Sequence, residues 1–543
     1  MVETTPVVWY DGKESAGQPF LRLAPADNVA VALRTLKEGE QLDLPANEVR
    51  SAPDAVPDAV PDTVPDTASP TLVVASRIMK GHKIALVDVQ KGGRVVKYAQ
   101  LIGVAAQDIK AGEHVHTHNL SFTYNDTTHS RNADLRPVVV ECTDSFQGYQ
   151  RADGRTGTRN YIAVISSVNC SATAANRIAH AFDHGALDGY ANVDGVVAFT
   201  HGTGCGMDAA GEGFQNLQRV LAGYARHPNV GGVLLVGLGC ETSQIAGTIE
   251  SHKLASGPLL RTMNIQTTGG HVKTIARGVE IVNSMLEEVN AIERTACPVS
   301  ALTLALQCGG SDAWSGITAN PALGHAADLL IRQGGTAVLA ETPEIYGAEH
   351  LLTQRAASDE IADQLIQRIE WWQDYVARNN GSLDNNPSPG NKLGGLTTIL
   401  EKSLGAVAKG GTTMLNGVFR YAEKVDRPGF VFMDSPGYDP ASVTGQIASG
   451  CNLVAFTTGR GSTFGSKPAP CLKIATNTDM YRQLSDDMDI NAGTIVSEGD
   501  SVADVGERIY ARLLEVASGS FTLSEVHGLG DHEFVPWQIG AIM

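Results

Sequence analysis

The sequence predicts an α/β protein in which a small β-rich N-terminal module precedes two α/β domains with largely parallel sheets. Three observations carry that expectation. From about residue 148 short apolar runs alternate with amphipathic helical segments, the strand-then-helix rhythm of parallel sheets under helical covers. Ahead of that point, brief strand-like runs are cut by glycines at turn-like intervals. The chain is also 543 residues long and 43% hydrophobic. That suffices for three or four domains of about 150 residues and for more than one buried core.

The N-terminal runs are PFLRLA (19–24), TLVVAS (71–76), KIALVDV (83–89), RVVKYAQLIGVA (94–105) and HVHTHNL (114–120), punctuated by Gly81, Gly92, Gly93, Gly103 and Gly112. Between them Pro53, Pro57, Pro61 and Pro65 are each followed by aspartate. Proline fixes φ and removes a donor, so 52–69 is expected as an extended, solvated insertion without chemistry. The module is expected over 1–124, followed by a polar linker over 125–147. A first α/β domain (148–296) has strand candidates YIAVISSV (161–168), GVVAFTH (195–201) and GVLLVGLG (232–239), with a helix over ATAANRIAHAF (172–182). After a break near Thr295–Pro298, a second (297–543) has LTLALQCGG (302–310), TAVLAE (336–341), GFVFMDS (429–435), NLVAFTTGR (452–460) and LKIATN (472–477), with a helix over ALGHAADLLIRQG (322–334).

Lys and Arg number 41 against 59 Asp and Glu, a net charge of −18. Such a chain is a poor candidate for wrapping nucleic acid. Local cationic clusters can still bind an anionic substrate. The best apolar run, Val230 to Gly239, is too short for the ~18–20 residues of a membrane span. The N-terminus has no basic start and no apolar signal core, so a cytoplasmic location is expected. Eight cysteines are too sparse for a disulfide scaffold and read as free thiols or metal ligands. A homo-oligomer is expected only because symmetric assemblies are common.

In a parallel sheet, ligands sit where strands end and helices begin. Here those positions hold Cys170; His201, Thr203 and Cys205; Cys240, Glu241 and Ser243; and Cys308, Ser311, Asp312 and Asn320. One buried cysteine is usually a small hydrophobe, but four at equivalent places point to function for at least two. In the N-terminal module His82 follows Gly81, and His114, His116 and His118 alternate. If 114–118 is extended, these three imidazoles share a face. They then suit a divalent metal, the alternative being a solvated edge strand. Arg151, Arg155, Arg159, Asn391, Lys392 and Arg460 lie in glycine-rich segments suited to an anion clamp, although such segments are also ordinary turns. Lys97 and Tyr98 read as structural. Glu341, Glu344 and Glu349 follow a strand and could serve as bases or ligands. There is no Walker motif, GxSxG elbow, CxxC pair or dinucleotide fingerprint.

The segments GYQRADGRTGTRN, THGTGCG, VLLVGLGCE, LQCGGSDAWSGITANPALG, PSPGNKLGGLTT and TTGRGS together resemble the altronate/galactarate dehydratase family of hydro-lyases. Sulfolactate sulfo-lyases belong to the same wider group. The resemblance covers nearly the whole chain. GHKIAL, KYAQLIG and GEHVHTHN make the front module similar to that family's SAF-type β domain. The resemblance implies elimination of water from a sugar acid to give a 2-keto-3-deoxy acid, with Fe2+ as the usual metal or another divalent ion such as Mn2+. HVHTHN and Cys451 are similar to the altronate side, whereas TACPVSALTL and DINAG are similar to the galactarate side, so the substrate stays open. The Pro-Asp insertion and an N-terminal extension depart from the pattern without touching these motifs.

Removing the proton α to a carboxylate creates a dianionic species that cations aimed at the carboxylate must stabilise. Under the resemblance, His82, His116 and His118 are expected to hold the metal. Arg155, Arg159, Thr203, Ser311, Asp312, Asn391 and Arg460 are expected to bind the sugar acid. The catalytic set is His201, Glu241 and Lys392, with His201 or Glu241 exchanging the proton. A competing assignment makes Cys170, Cys205, Cys240 and Cys308 the ligands of an iron–sulfur cluster. A sulfolactate-type sulfo-lyase and a non-catalytic sugar-acid binder are the alternative functions.

Overall fold

A computed structural model describes residues 18–44, 71–123 and 131–540. The Pro-Asp segment 52–69, the first seventeen residues, residue 124 and 125–130 of the expected linker lie outside them.

The N-terminal module is built from short antiparallel strands. One sheet orders Phe20–Leu21, Val29–Ala32, Lys83–Ala85 and His114–Val115; a second orders Arg94–Lys97, Gln100–Ala105 and Leu120–Ser121. The expected run 94–105 is therefore two strands. Tyr98 and Ala99 break it with φ of 62° and 57°. That left-handed turn is held by the Asp27 carboxylate, which accepts the amides of Ala24, Tyr98 and Ala99 at 3.1, 3.1 and 2.7 Å.

The first α/β domain has a four-stranded, fully parallel sheet in the order Gly195–Phe199, Tyr161–Ser166, Val230–Gly237, Leu260–Asn264. Successive residues of Tyr161–Ser166 face opposite ways. Ile162 and Val164 pack with Ala174 and Ile178 of helix Asn169–His180 and with Val282 and Met285 of helix His271–Asn290. Ala163 and Ile165 join Leu217, Val220 and Leu221 of helix Glu212–Ala225. That second face is continuous with the other domain: a Cβ on Gly223 would lie 2.3 Å from the Ala448 carbonyl in helix Asp439–Ser449. Only glycine permits that helix contact.

The second α/β domain has seven parallel strands in the order Leu415–Phe419, Gly429–Met433, Thr336–Leu339, Thr303–Cys308, Leu453–Thr458, Cys471–Ala475, Ile490–Asn491. Its central strands are buried, apart from half-buried Thr303, and mostly apolar. The expected break near Thr295–Pro298 is a strand, Arg294–Pro298, which pairs antiparallel with Ser145–Gln150. One apolar cluster runs from Val29, Val31 and Val115 of the small module through Tyr98, Ile102, Trp314 and Ile317 to Leu304 and Leu306. The N-terminal module thus shares its core with the second α/β domain. No helix among the described residues is long and apolar enough to cross a membrane.

Candidate active site

The chain places Thr303–Cys308 in mid-sheet, then adds Thr336–Leu339 on one side and Leu453–Thr458 on the other. Between strands that leave in opposite directions a crevice opens at their carboxyl ends. It is floored here by the segments after Cys308 and Thr458. The Gly459 and Arg460 amides both donate to the Gly310 carbonyl, at 3.0 and 2.8 Å. Asn391 fixes a third wall: its side-chain amide donates to the Ser311 carbonyl at 2.7 Å, while its own short helix, Pro389–Leu393, is started by a Ser388 capping box. Gly395, with φ of +97°, brings the fourth wall close, since a Cβ there would lie 2.5 Å from the Gly81 carbonyl.

That contact carries the histidines to the crevice. The extended reading of 114–118 does not hold: the strand ends at Val115, and the His116 carbonyl accepts the amides of Asn119 and Leu120 at 3.0 and 2.9 Å. The imidazoles converge all the same, because a turn gathers them. Ring centroids of His82 lie 5.1 Å from His114 and 5.0 Å from His116, and His114 lies 5.4 Å from His118. His82 Nε2 faces the Leu393 carbonyl at 3.2 Å, and His116 Nε2 faces the Lys392 carbonyl at 2.9 Å. A carbonyl only accepts, so both rings carry hydrogen on Nε2 and offer the Nδ1 lone pair. His82 Nδ1 in turn accepts from His114 Nε2 at 3.0 Å. Burial pushes all three downward, His114 to about 3 and His116 to about 4, so they are neutral near pH 7. Neutral imidazoles anchored through their second nitrogen to backbone carbonyls have the donor chemistry that a first-row divalent ion takes, although no three of them bring ligand atoms within 4.8 Å of one another here.

Lys392 and Arg460 stand on the same rim. Neither forms an ion pair among the described residues, although the chain carries eighteen excess negative charges. Two uncommitted cations at one crevice suit a carboxylate. Ser311 and Asp312 lie there as well, but Asp312 is structural. Its carboxylate accepts Trp314 N, Ser315 N, Ser315 Oγ, Thr476 Oγ1 and Asn477 Nδ2, all within 3.0–3.1 Å.

Two buried charge networks support this crevice. Glu401 accepts Lys83 Nζ and Lys97 Nζ, each at 2.9 Å, and all three side chains are at most 1% exposed. Burial alone would raise the Glu401 carboxyl, but the two ammonium groups more than offset it and hold it low. Lys83 and Lys97 belong to the histidine-bearing module and Glu401 to the second α/β domain, so the triad clamps one to the other. Beneath the crevice, Cys308 Sγ lies 2.8 Å from Lys409 Nζ and 3.7 Å from Glu344, while Lys402 pairs with Glu344. Glu341, Glu344 and Cys308 are the one group of three described His, Cys, Asp or Glu residues whose ligand atoms all lie within 4.8 Å. Two lysines already neutralise them. Burial and the neighbouring Glu344 push Glu341 well up, whereas Lys402 and Lys409 overcome burial to hold Glu344 low. The two carboxyls are thus driven apart, Glu341 toward its protonated form and Glu344 toward its ionised one. Sequence reasoning reached the glutamates but missed Lys402 and Lys409, which no local motif marks.

The remaining expected residues lie elsewhere. Arg159 is fully buried, and all five of its N–H groups are spent on Glu525 and on the carbonyls of Thr158, Val516 and Ser520. It has no donor left for a substrate. Arg155 pairs with Asp153 at the opposite, amino edge of the first sheet, in a groove of about 1280 Å3. His201 and Thr203 lie at the carboxyl edge of that first sheet. His201 Nε2 donates to the Ser166 carbonyl at 3.0 Å, its Nδ1 faces Thr203 Oγ1 at 2.9 Å, and burial pushes it down to about 4. Glu241 is occupied by Ser167 Oγ and the amides of Leu238 and Gly239. Cys170, Cys205 and Cys240 are exposed at this edge, whereas Cys308 is buried in the other sheet. The four cysteines therefore do not form one site.

Known families match almost the whole chain. Residues 18–123 match the altronate/galactarate dehydratase SAF domain, and 148–290 match the second domain of D-galactarate dehydratase/altronate hydrolase. Residues 299–542 match the C-terminal region of D-galactarate/altronate dehydratase. Altronate dehydratase of Bacillus subtilis is 34% identical over 509 residues, covering 93% of this chain and 96% of that protein. Galactarate dehydratase (L-threo-forming) of Escherichia coli is 34% identical over 471 residues, covering 84% of this chain and 90% of its own. The beta subunit of (2R)-sulfolactate sulfo-lyase from Chromohalobacter salexigens is 32% identical, covering 72% of this chain and 96% of its own.

Proposed function

The chain belongs to the D-galactarate/altronate dehydratase family, and we propose that it dehydrates an altronate- or galactarate-like acid to a 2-keto-3-deoxy acid at the crevice between its SAF module and second α/β domain. It is a hydro-lyase acting on a sugar acid. The observation that carries the location is the meeting of four histidines, Lys392 and Arg460 at the switch point of the larger sheet.

The donor set supports a divalent metal, Fe2+ in this reading, on His82, His116 and their neighbours His114 and His118. When bound, such an ion polarises the substrate's carboxylate or departing hydroxyl. Arg460 and Lys392 grip the carboxylate and stabilise the charge that develops as the α proton leaves. The Asn391 side chain holds the Ser311 segment in place against that grip. His201 and Glu241 are committed at another sheet.

Anaerobic protein loaded with Fe2+ tests this reading on altronate, galactarate, related aldonates and sulfolactate, scored for keto acid and for sulfite. Iron-dependent keto acid from one sugar acid is expected. Sulfite from sulfolactate without keto acid from any sugar acid would overturn it.

A further inference from the structure

The first α/β domain has a switch point of its own. Tyr161–Ser166 comes first in the chain, with Gly195–Phe199 added on one side and Val230–Gly237 on the other. Each strand is followed, within a few residues, by a free, exposed cysteine: Cys170, Cys205 and Cys240. The three segments touch through their backbones. The Asn169 amide donates to the Thr203 carbonyl at 2.9 Å, and the Ser243 amide to the Gly204 carbonyl at 3.0 Å. Gly204 permits this: its φ is +95°, and a Cβ there would lie 2.4 Å from the Ser167 carbonyl. Cys170 sits in the first turn of helix Asn169–His180, an end that favours negative charge. A cavity of about 280 Å3 at the same sheet edge is lined by Asn169, Thr200, His201, Gly202, Phe534 and Gln538, and by none of the three cysteines.

We propose that Cys170, Cys205 and Cys240 are the three thiolate ligands of a four-iron, four-sulfide cluster at this sheet edge. Thiolates select iron–sulfur chemistry over hard cations. The other described cysteines are buried, apart from Cys142, which lies against the Gln333 carbonyl, so one iron is left without a protein thiolate. Cys308, which sequence reasoning grouped with these three, takes no part because Lys409 and the second sheet hold it. This centre is separate from the histidine crevice and does not depend on the function assigned there.

The test is anaerobic reconstitution of the full chain with ferrous iron and sulfide, followed by iron and acid-labile sulfide counts, visible absorption and electron paramagnetic resonance of the reduced protein. About four sulfide and about five iron per chain are expected, four of the iron in the cluster and one at the histidine crevice, with a broad visible band. Cys170→Ser, Cys205→Ser and Cys240→Ser should each lose the band and most of the sulfide. Cys308→Ser and His116→Ala should keep both. Because the three cysteines are exposed, the cluster-free variants should melt like cluster-free parent, separating cluster loss from unfolding. Iron bound without sulfide in the parent, or a full sulfide count in Cys205→Ser, would overturn the proposal.

Discussion

Glu401→Gln is the substitution that most sharply tests how the small module is fastened. It keeps the side chain's shape and removes one charge, leaving Lys83 and Lys97 buried without an anion. At 2.9 Å and an effective dielectric of about 20, each ion pair is worth about 6 kcal/mol before desolvation and the repulsion between the lysines are counted. Breaking a buried pair by removing one partner costs about 3–5 kcal/mol net. At about 2–4 °C per kcal/mol, the transition that includes the module should fall by about 6–20 °C in calorimetry. Since Lys83 adjoins His82, turnover should fall with it. A triple variant, Lys83→Met, Lys97→Met and Glu401→Leu, should recover most of the stability, because the cost lies in orphaned charge rather than shape. A shift of under about 1 °C in Glu401→Gln would refute the clamp.

Arg460→Ala should raise KM for the sugar acid about ten- to a hundredfold, the worth of a charge-assisted contact, while Arg155→Ala, at the far edge of the other sheet, should leave it unchanged. Steady-state kinetics on both decides. Lys402→Met should cost about 3–5 kcal/mol in urea unfolding by stranding Glu344, and adding Glu344→Gln should restore much of it. Burial pushes His227 down to about 3, below its unfolded value of 6.5. Between those values the unfolded chain takes up the proton first, so acid removes stability. Relative to His227→Gln, the parent should lose about 1.4 kcal/mol per pH unit below pH 6.5, read from urea midpoints at pH 7, 6 and 5.

The central strands of both parallel sheets were legible because they are buried on both faces and read as unbroken apolar runs. The strands that escaped, Leu260–Asn264, Leu415–Phe419 and Ile490–Asn491, are edge strands with one neighbour and mixed polarity. The histidines were legible as a set but not in their geometry: period-two spacing suggested a strand, and the turn after Val115 does the gathering. Their partners Lys392 and Leu393 lie 276 and 311 positions away from His116 and His82. Arg159 misled for the same reason, since its counter-ion Glu525 is 366 positions distant. Residue type and loop setting locate an arginine near chemistry, but only tertiary contact shows whether its donors are free.

The most direct test of the crevice is keto-acid formation by His82→Ala/His116→Ala protein given saturating Fe2+, with its melting curve checked against the parent. The predicted result is a fall of at least about a hundredfold in kcat/KM, as loss of metal ligands and their supports implies, with the fold intact. Parental turnover in that variant would contradict the placement of the reaction at this crevice.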